Sequence, residues 1–346
     1  MSNSDKTGGG CRNNPESLLY LPLLAAKADR RLARRAFLAA GAAASLAPLA
    51  FADDLRSAET ERPPAIDAHT HFYDPTRPEG VPWPGKNDAV LYRPVLPAEF
   101  KKLTAPLGVI GTIVIEASPW VEDNQWLLDL AEREPIILGV VGRLDPAGEM
   151  FPELLARFAK NPRFRGIRIG HEDAKKALKE PVLLKRLGLL AEHDLELDVN
   201  GGPEMPADVA RLAAALPKLW IVVNHAANLK IDGQSPPQDW LEGMRQAAKH
   251  AGVFCKVSAL VEGTRRTNRN APTDPAFYRP VLDGLWNVFG QERLIYGSNW
   301  PVSERAASYQ ALHKIAVDYF RTKGDRALEK FLRQNALAAY KPPLRT

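Results

Sequence analysis

Ile66-Asp67-Ala68-His69-Thr70-His71 is the stretch that decides the fold, and it directly follows the proline pair Pro63-Pro64 and Ala65. Successive side chains of a β-strand point to opposite faces, so His69 and His71 share a face and can converge on one ion or one substrate oxygen. A lone His-x-His is weak evidence by itself, because a polar strand end has the same pattern. Its position in the chain strengthens the prediction of a site suited to hydrolytic chemistry.

Everything before this stretch has the pattern of an export signal. Arg34-Arg35-Ala36-Phe37-Leu38 is a twin-arginine pattern, followed by a small, apolar run and by the cleavage pattern Ala50-Phe51-Ala52. The run is too short and too alanine-rich to span ~30 Å of hydrocarbon, so no stable membrane insertion is expected after cleavage. We predict a twin-arginine (Tat) signal peptide over residues 1–52, the Tat export machinery as a partner, and a periplasmic domain over residues 53–346.

Charge and cysteine content narrow the class of protein. The chain holds 46 Lys plus Arg against 41 Asp plus Glu; residues 1–52 contain seven and three of these, which leaves 39 against 38. The mature chain is therefore nearly neutral, and without a basic stripe we expect no nucleic-acid partner. Cys11 lies in the signal and Cys255 lies in an apolar run, so no intrachain disulfide is expected after export.

Short β-branched runs alternate with amphipathic segments along the rest of the chain. The predicted strands are Ala65 to His71, Gly111 to Glu116, Ile136 to Val141, Gly166 to Ile169, Leu195 to Val199, Trp220 to Asn224, Val253 to Val257 and Leu294 to Gly297. The predicted helices are Asp123 to Arg133, Pro152 to Lys160, Pro181 to His193, Met205 to Leu216, Pro237 to His250, Phe277 to Phe289 and Glu304 to Leu332. This alternation predicts an α/β fold with a parallel sheet, and eight repeats favour a (β/α)₈ TIM barrel.

Polar or ionisable residues end nearly every predicted strand. They are His69 and His71, Glu116, Arg143, Arg168 with His171, Asn200, Asn224 and His225, Lys256 with Ser258, and Ser298-Asn299-Trp300. The carboxyl ends of barrel strands form one rim, and this rim carries the active site in essentially every characterised barrel enzyme. The clustering therefore predicts an enzyme with a small-molecule substrate.

Five motifs resemble the amidohydrolase-related proteins of the amidohydrolase superfamily. They are Ile66 to His71, Gly166-Ile167-Arg168, Val222-Val223-Asn224-His225, Cys255-Lys256-Val257-Ser258 and Tyr296-Gly297-Ser298-Asn299-Trp300-Pro301-Val302. More narrowly, they resemble the branch of fuconolactonase-like and pyrone-dicarboxylate lactonases. The resemblance implies a (β/α)₈ barrel of the metal-dependent-hydrolase type that opens a lactone or similar cyclic ester, with histidines from strands one and six and an acid from strand eight. It leaves the oligomeric state open.

The eighth strand departs from the family pattern. Lactonases of this branch usually carry Gly-Ser-Asp-Trp-Pro, whereas this chain has Asn299 in place of the acid. An amide does not accept a proton from water, so we expect Asn299 to orient water or substrate. Glu116, His225 and Glu304 are the candidates for the missing base. Glu116 is favoured because partial burial would raise its pKa toward working pH, and a salt bridge to Arg168 is the alternative.

The residues at the strand ends also decide whether the site can bind a metal cofactor. Metal-using members of the superfamily add to the His-x-His pair a strand-four Lys or Glu, a strand-five His, a strand-six His and a strand-eight Asp. This chain keeps His225 on strand six but has Arg168, Asn200 and Asn299 on strands four, five and eight. One alternative, which we favour, needs no cofactor and has the histidines polarise the substrate carbonyl as an oxyanion hole would. In the other, His69, His71 and His225 hold a single divalent ion such as zinc with one open position.

The predicted substrate-binding residues provide positive charge, polar contacts and aromatic rings. They are Arg168, His171, Asn200, Lys256, Trp120 and Trp300. Cationic groups suit a sugar-acid or carboxylated lactone, and indole rings stack on its ring. Two other functions stay open: a metal-dependent decarboxylase of the related barrel branch, and a non-catalytic sugar-acid binding protein.

Overall fold

The structure, a computed structural model, describes residues 63–343. Their strands are β1 Ala65–Thr70, β2 Val109–Ile115, β3 Ile137–Gly142, β4 Phe164–Gly170, β5 Glu196–Asn200, β6 Ile221–Val223, β7 Val253–Val257 and β8 Leu294–Tyr296. Neighbouring strands pair in parallel in chain order. The predicted signal peptide lies outside the described residues and stays a prediction.

β1 and β8 meet and close the sheet. The backbone N–H of His71 donates to the carbonyl of Trp300 at 2.9 Å, and that of Asn299 donates to the carbonyl of His69 at 2.8 Å. The Asp67 carboxylate reinforces this seam by accepting a hydrogen bond from the Ser298 N–H at 2.8 Å. The predicted (β/α)₈ barrel is confirmed.

Helices follow most of the strands. They are α1 Pro97–Thr104, α2 Val121–Arg133, α3 Phe151–Phe158, α4 His171–Lys179, α5 Pro181–Glu192, α6 Met205–Ala215, α7 Gln238–Ala248, α8 Leu260–Gly263, α9 Pro275–Phe289, α10 Tyr309–Arg321, α11 Asp325–Glu329 and α12 Asn335–Tyr340. Shorter 3₁₀ turns span Ala105–Leu107, Asn224–Asn228 and Val302–Arg305, and a π-helical turn spans Lys330–Gln334. No helix of residues 63–343 is long and apolar enough to cross a membrane.

The single helix predicted over Glu304 to Leu332 is wrong. The segment is divided between the turn Val302–Arg305, α10, α11 and the beginning of the π-helical turn Lys330–Gln334. Gly324 separates α10 from α11 with a φ of 97°, a backbone conformation that glycine adopts readily because it lacks a Cβ atom.

The barrel interior has its own apolar layer below the polar rim. Its buried members from the strands are Ile66, Ala68, Ile113, Ile115, Val141, Val222, Phe254 and Ile295. Ala336, Ala339 and Tyr340 of α12 pack against this layer. A larger layer fills the space between the strands and the outer helices. The polar rim therefore rests on a closely packed base, which fixes the positions of the strand ends.

Candidate active site

Three histidines converge at the carboxyl ends of β1 and β6. The ring centroids of His69 and His225 are 4.2 Å apart, and those of His69 and His71 are 5.1 Å apart. All three side chains are buried. The structure therefore brings together residues that the sequence places far apart, as the barrel prediction requires.

An irregularity in the register of β1 determines the side of the strand on which His69 lies. The register of β1 against β2 shifts between Asp67 and Thr70. Strict alternation would put Ile66, which packs inside the barrel, and His69 on opposite faces. The shift interrupts the alternation, so the ring of His69 also lies on the inner side, next to His225.

The turns after β6, β7 and β8 adopt a left-handed backbone. The φ angles are 55° at His225, 52° at Ala259 and 60° at Asn299. This conformation costs an L-residue roughly 1–2 kcal/mol, although Asn adopts it more readily than most residues. Strained non-glycine residues cluster at functional sites, where the surrounding structure holds them in place. The left-handed backbone at His225, Ala259 and Asn299 therefore marks these three turns as the candidate active site.

His69 is held by a buried ion pair. Its Nδ1 lies 3.4 Å from Lys256 Nζ, and Lys256 Nζ lies 2.5 Å from Asp198 Oδ2. Asp198 also accepts a hydrogen bond from the hydroxyl of Tyr340 at 2.8 Å. An ammonium group only donates hydrogen bonds, so we assign Nδ1 of His69 as the acceptor and place the ring proton on Nε2. That Nε2 is buried and has no hydrogen-bond partner within residues 63–343.

His71 and His225 are held in place by hydrogen bonds on Nδ1. His71 Nδ1 lies 3.0 Å from the carbonyl of Ile115, and His225 Nδ1 lies 2.8 Å from Ser258 Oγ. Burial, followed by the positive charge of Arg168, lowers the pKa of His71 to about 3. The same two causes lower the pKa of His225 well below its ordinary value. Both rings are therefore neutral at working pH.

Glu116 forms the salt bridge that was the alternative to its role as a base. Arg168 Nε donates to Glu116 Oε1 at 2.9 Å, and Arg168 Nη2 donates to the backbone carbonyl of Glu116 at 2.8 Å. Burial raises the pKa of Glu116, while Arg168 opposes that rise. Glu304, another candidate base, accepts a hydrogen bond from the indole N–H of Trp300 and pairs with Arg93. Both carboxylates are thus engaged by cations or an N–H donor.

The other predicted substrate-binding residues differ in their exposure to solvent. Lys256 is fully buried beneath His69, and Trp300 is fully buried against Phe72 and Phe100. Trp120 stands at the start of α2 with 41% of its surface exposed. Of these three side chains, only that of Trp120 is open to solvent.

His171 and Asn200 engage neighbouring segments of the barrel. His171 Nε2 lies 2.9 Å from Asp208 Oδ2 on α6, and His171 Nδ1 lies 3.4 Å from Glu204 Oε1. Asn200 Oδ1 accepts a hydrogen bond from the side chain of Asn228 at 2.8 Å. These contacts fix the rim between β4 and β6.

Sequence reasoning missed Glu262. This residue of α8 accepts a hydrogen bond at Oε1 from Asn299 Nδ2 at 2.8 Å, and Asn299 Oδ1 lies 3.2 Å from His71 Nε2. Burial raises the pKa of Glu262 to about 7. The available signal was a single carboxyl group between the apolar pair Leu260-Val261 and Gly263, just after the seventh strand.

The donor set does not fit a metal centre. Among the residues that the structure describes, no group of three or more His, Cys, Asp or Glu side chains is placed to hold a metal ion. The contact with Lys256 favours a proton on His69 Nε2, the atom that would have to bind the ion. Arg168 adds positive charge beside His71 and His225, which also opposes a cation.

The fold is that of the (β/α)₈ barrel enzymes, whose active sites lie at the carboxyl ends of the strands, where the three histidines converge. The family described as Amidohydrolase matches residues 66–341, and the chain belongs to this family. The family resemblance inferred from the sequence is thereby confirmed.

Two proteins from Burkholderia species are similar to this chain, one compared by sequence and the other by structure. An L-fucono-1,5-lactonase from Burkholderia ambifaria is 34% identical over 247 residues, which cover 70% of this chain and 82% of that protein. Crystal structures of an amidohydrolase from Burkholderia multivorans match with TM-scores of 0.72 and 0.71, at 26% and 25% identity. They cover 81% of this chain and 100% of that chain; one contains HEPES and the other zinc.

A third similar structure shares the fold at lower sequence identity. A putative 2-pyrone-4,6-dicarboxylic acid hydrolase from Pseudomonas putida matches with a TM-score of 0.62 at 21% identity, covering 82% of this chain and 99% of that chain. At this identity the match shows a shared fold alone.

Proposed function

We propose that this protein is a hydrolase that opens a lactone or similar cyclic ester of a sugar acid by adding water at the carbonyl carbon. The buried Nε2 of His69, which lacks a hydrogen-bond partner in the described part of the chain, carries this proposal. A buried N–H without a partner is costly, and a substrate oxygen would satisfy it. The similarity to an L-fucono-1,5-lactonase supports a sugar-acid lactone as the substrate class.

The histidines would stabilise the charge that develops on the carbonyl oxygen. His69 Nε2–H is a preorganised donor in a buried site, where a hydrogen bond to an oxyanion is stronger than in water. The ring of His225 lies beside it, held by Ser258. The water oxygen then bonds to the carbonyl carbon and the water loses one proton, while the bond to the ring oxygen breaks and that oxygen takes up one proton, so that water is added across the ester bond. The product is a hydroxy acid, which releases a proton at neutral pH.

Asn299 would position the attacking water, and Arg168 would position the lactone. Asn299 lies beside His71 and can orient water through its amide, although it does not accept the proton itself. Arg168 uses two of its five N–H groups on Glu116, so three further donors remain for a carboxylate or hydroxyl group of the substrate. A planar guanidinium suits such bidentate contacts.

Acid release provides the direct test. The full chain is mixed with a panel of sugar and aromatic lactones, and the pH is followed with an indicator dye, with His225→Ala as the matched variant. We expect release by the parent and a large loss in the variant. Absence of release across the panel would overturn the proposal, and saturable binding of a sugar acid without turnover would then favour the non-catalytic binding protein.

We propose further that hydrolysis needs no metal, because the histidine cluster has a cationic environment and no carboxylate ligand within residues 63–343. The test is dialysis against a chelator, followed by addition of zinc. We expect an unchanged kcat at both steps. A loss on dialysis that zinc restores would contradict this, and metal-dependent release of carbon dioxide from an aromatic acid would favour the decarboxylase instead.

We propose that the twin arginines direct export to the periplasm. In cell fractionation, the parent chain should appear in the periplasmic fraction, and the variant Arg34→Lys with Arg35→Lys should stay in the cytoplasm. Equal distribution of the two chains would overturn this proposal.

A further inference from the structure

Glu262 is a buried carboxyl group at the active site to which the proposed hydrolysis assigns no role. It lies in α8, directly after β7, and its Oε1 accepts the 2.8 Å hydrogen bond from Asn299 Nδ2. Its second oxygen, Oε2, is buried and has no hydrogen-bond partner in residues 63–343. A buried carboxyl group with one oxygen that has no partner among the described residues is costly, so its placement calls for a role.

We propose that Glu262, acting through the amide of Asn299, takes over the role of the carboxylate that β8 lacks. The inference rests on the proposed hydrolysis, because the role concerns the attacking water. Glu262 is a positioning residue in this account. It decides which atom of the Asn299 amide faces His71 and the water.

An ionised Glu262 holds the amide in the arrangement seen in the structure. A carboxylate only accepts hydrogen bonds, so Asn299 Nδ2 donates to it and Asn299 Oδ1 points toward His71. In this arrangement Oδ1 and the unprotonated Nε2 of His71 are both acceptors, and the attacking water can donate a hydrogen bond to each of them. The water is then oriented as an aspartate on β8 would orient it.

A protonated Glu262 favours the opposite arrangement. Its O–H donates to Asn299 Oδ1, and the amide turns so that Nδ2 faces His71 Nε2. This fits a neutral His71, because its Nδ1 lies 3.0 Å from the carbonyl of Ile115 and must carry the ring proton to donate there. The attacking water then finds no acceptor on Asn299. Protonation of Glu262 therefore turns the water-positioning group away.

The surroundings of Glu262 place this change near neutral pH. Burial is the main influence and raises its pKa to about 7, while the Asn299 amide and the charge of Arg305 from the turn Val302–Arg305 oppose the rise. Tyr278 of α9 is the titratable group affected in return, since the charge of Glu262 helps to raise its pKa. Ionisation of Glu262 would thus fall inside the working range of the enzyme.

The first test is the pH profile of kcat on a lactone that the parent hydrolyses. We expect kcat to rise with pH through about 7. Glu262→Gln should lose this rise and fall at least tenfold in kcat above pH 8 with little change in KM, whereas the exposed Glu242→Gln on α7 keeps the parent profile. Glu262→Gln with Asn299→Asp should recover activity, because the new carboxylate faces the water while the introduced glutamine amide donates to its other oxygen. A parent-like profile in Glu262→Gln would overturn the proposal.

The second test needs no substrate. A carboxyl group whose pKa is higher in the folded chain than in the unfolded chain makes folding less favourable as pH rises from about 4.5 to about 7, and glutamine does not. The Tm of Glu262→Gln minus that of the parent should therefore grow by several degrees over this range and then level off. A difference that stays constant with pH would show a merely structural residue and overturn the proposal. Absence of lactone turnover combined with a growing difference would instead count against the proposed hydrolysis alone.

Discussion

The two halves of the barrel mouth hold their polar groups in different ways. In the half formed by β1, β6, β7 and β8, which we call the reactive half, His225 and Asn299 have a left-handed backbone and His69 Nε2 lacks a partner among the described residues. In the half formed by β2 to β5, the paired half, Arg168 binds Glu116 and Asn200 binds Asn228. Among the described residues of the barrel mouth, the buried N–H donor of His69 and the left-handed backbone at His225 and Asn299 thus occur on the same side.

In the proposed hydrolysis, the reactive half would carry out the chemistry and the paired half would position the substrate. The reactive half presents neutral imidazoles and the buried N–H of His69, which in the proposed hydrolysis would donate to a substrate oxygen. In the paired half, Glu116 holds the guanidinium of Arg168 in place, and the guanidinium presents a fixed positive charge. Substitutions in the reactive half should therefore reduce kcat, and those in the paired half should affect KM.

The largest effect is expected where the two halves meet below the rim. Lys256→Met would leave the buried Asp198 carboxylate without its ion-pair partner and should cost about 3–5 kcal/mol of the free energy of unfolding. Urea denaturation measures this cost. The double variant with Asp198→Asn should recover much of the loss. A stable Lys256→Met protein that only binds substrate poorly would instead support the predicted role of Lys256 in substrate binding.

The next effect tests the reactive half directly. His69→Gln should lower kcat by about 10²–10³-fold, the usual result of removing one oxyanion donor. Steady-state kinetics on the hydrolysed lactone, with circular dichroism to confirm folding, measures it. His193→Gln, at the exposed end of α5, is the matched control and should behave like the parent. A small effect at His69 would remove the distinction between the halves.

A smaller effect is expected in the paired half. Arg168→Gln with Glu116→Gln removes both charges together and should weaken the binding of a carboxylated lactone by about 1.5–3 kcal/mol, seen as a higher KM, with neutral lactones less affected. Glu116→Gln alone should reduce kcat by far less than the roughly 10²-fold or more that loss of a general base costs. A kcat collapse in that single variant would restore Glu116 as the base.

The smallest effect is expected at Trp120, at the outer edge of the paired half. Because this side chain is largely exposed, Trp120→Ala should change the free energy of unfolding by no more than about 0.5 kcal/mol. A rise in KM without a change in kcat would place Trp120 in contact with the substrate. Unchanged kinetics would remove it from the predicted substrate-binding residues.

Much of the architecture could be predicted because strand and helix patterns are local. The seventh strand was predicted with its observed bounds, Val253–Val257, and the others within a few residues. Parallel strands in a closed barrel have all their carboxyl ends on one rim, so the meeting of His69, His225 and Asn299 followed from chain order alone. The helix over Glu304 to Leu332 was wrong because the turn Val302–Arg305 precedes α10 and Gly324, with a positive φ, separates α10 from α11.

The sequence by itself determined the barrel, the family and the histidines at the rim, because each depends on residue types at fixed spacings along the chain. Only the tertiary structure decided the partners of the charged groups: Arg168 with Glu116, Lys256 with Asp198, and Glu262 with Asn299. It also buried Trp300 in the core. The physical reason is that hydrogen bonds and ion pairs depend on distances of about 3 Å between side chains from different strands, and no local pattern encodes such distances.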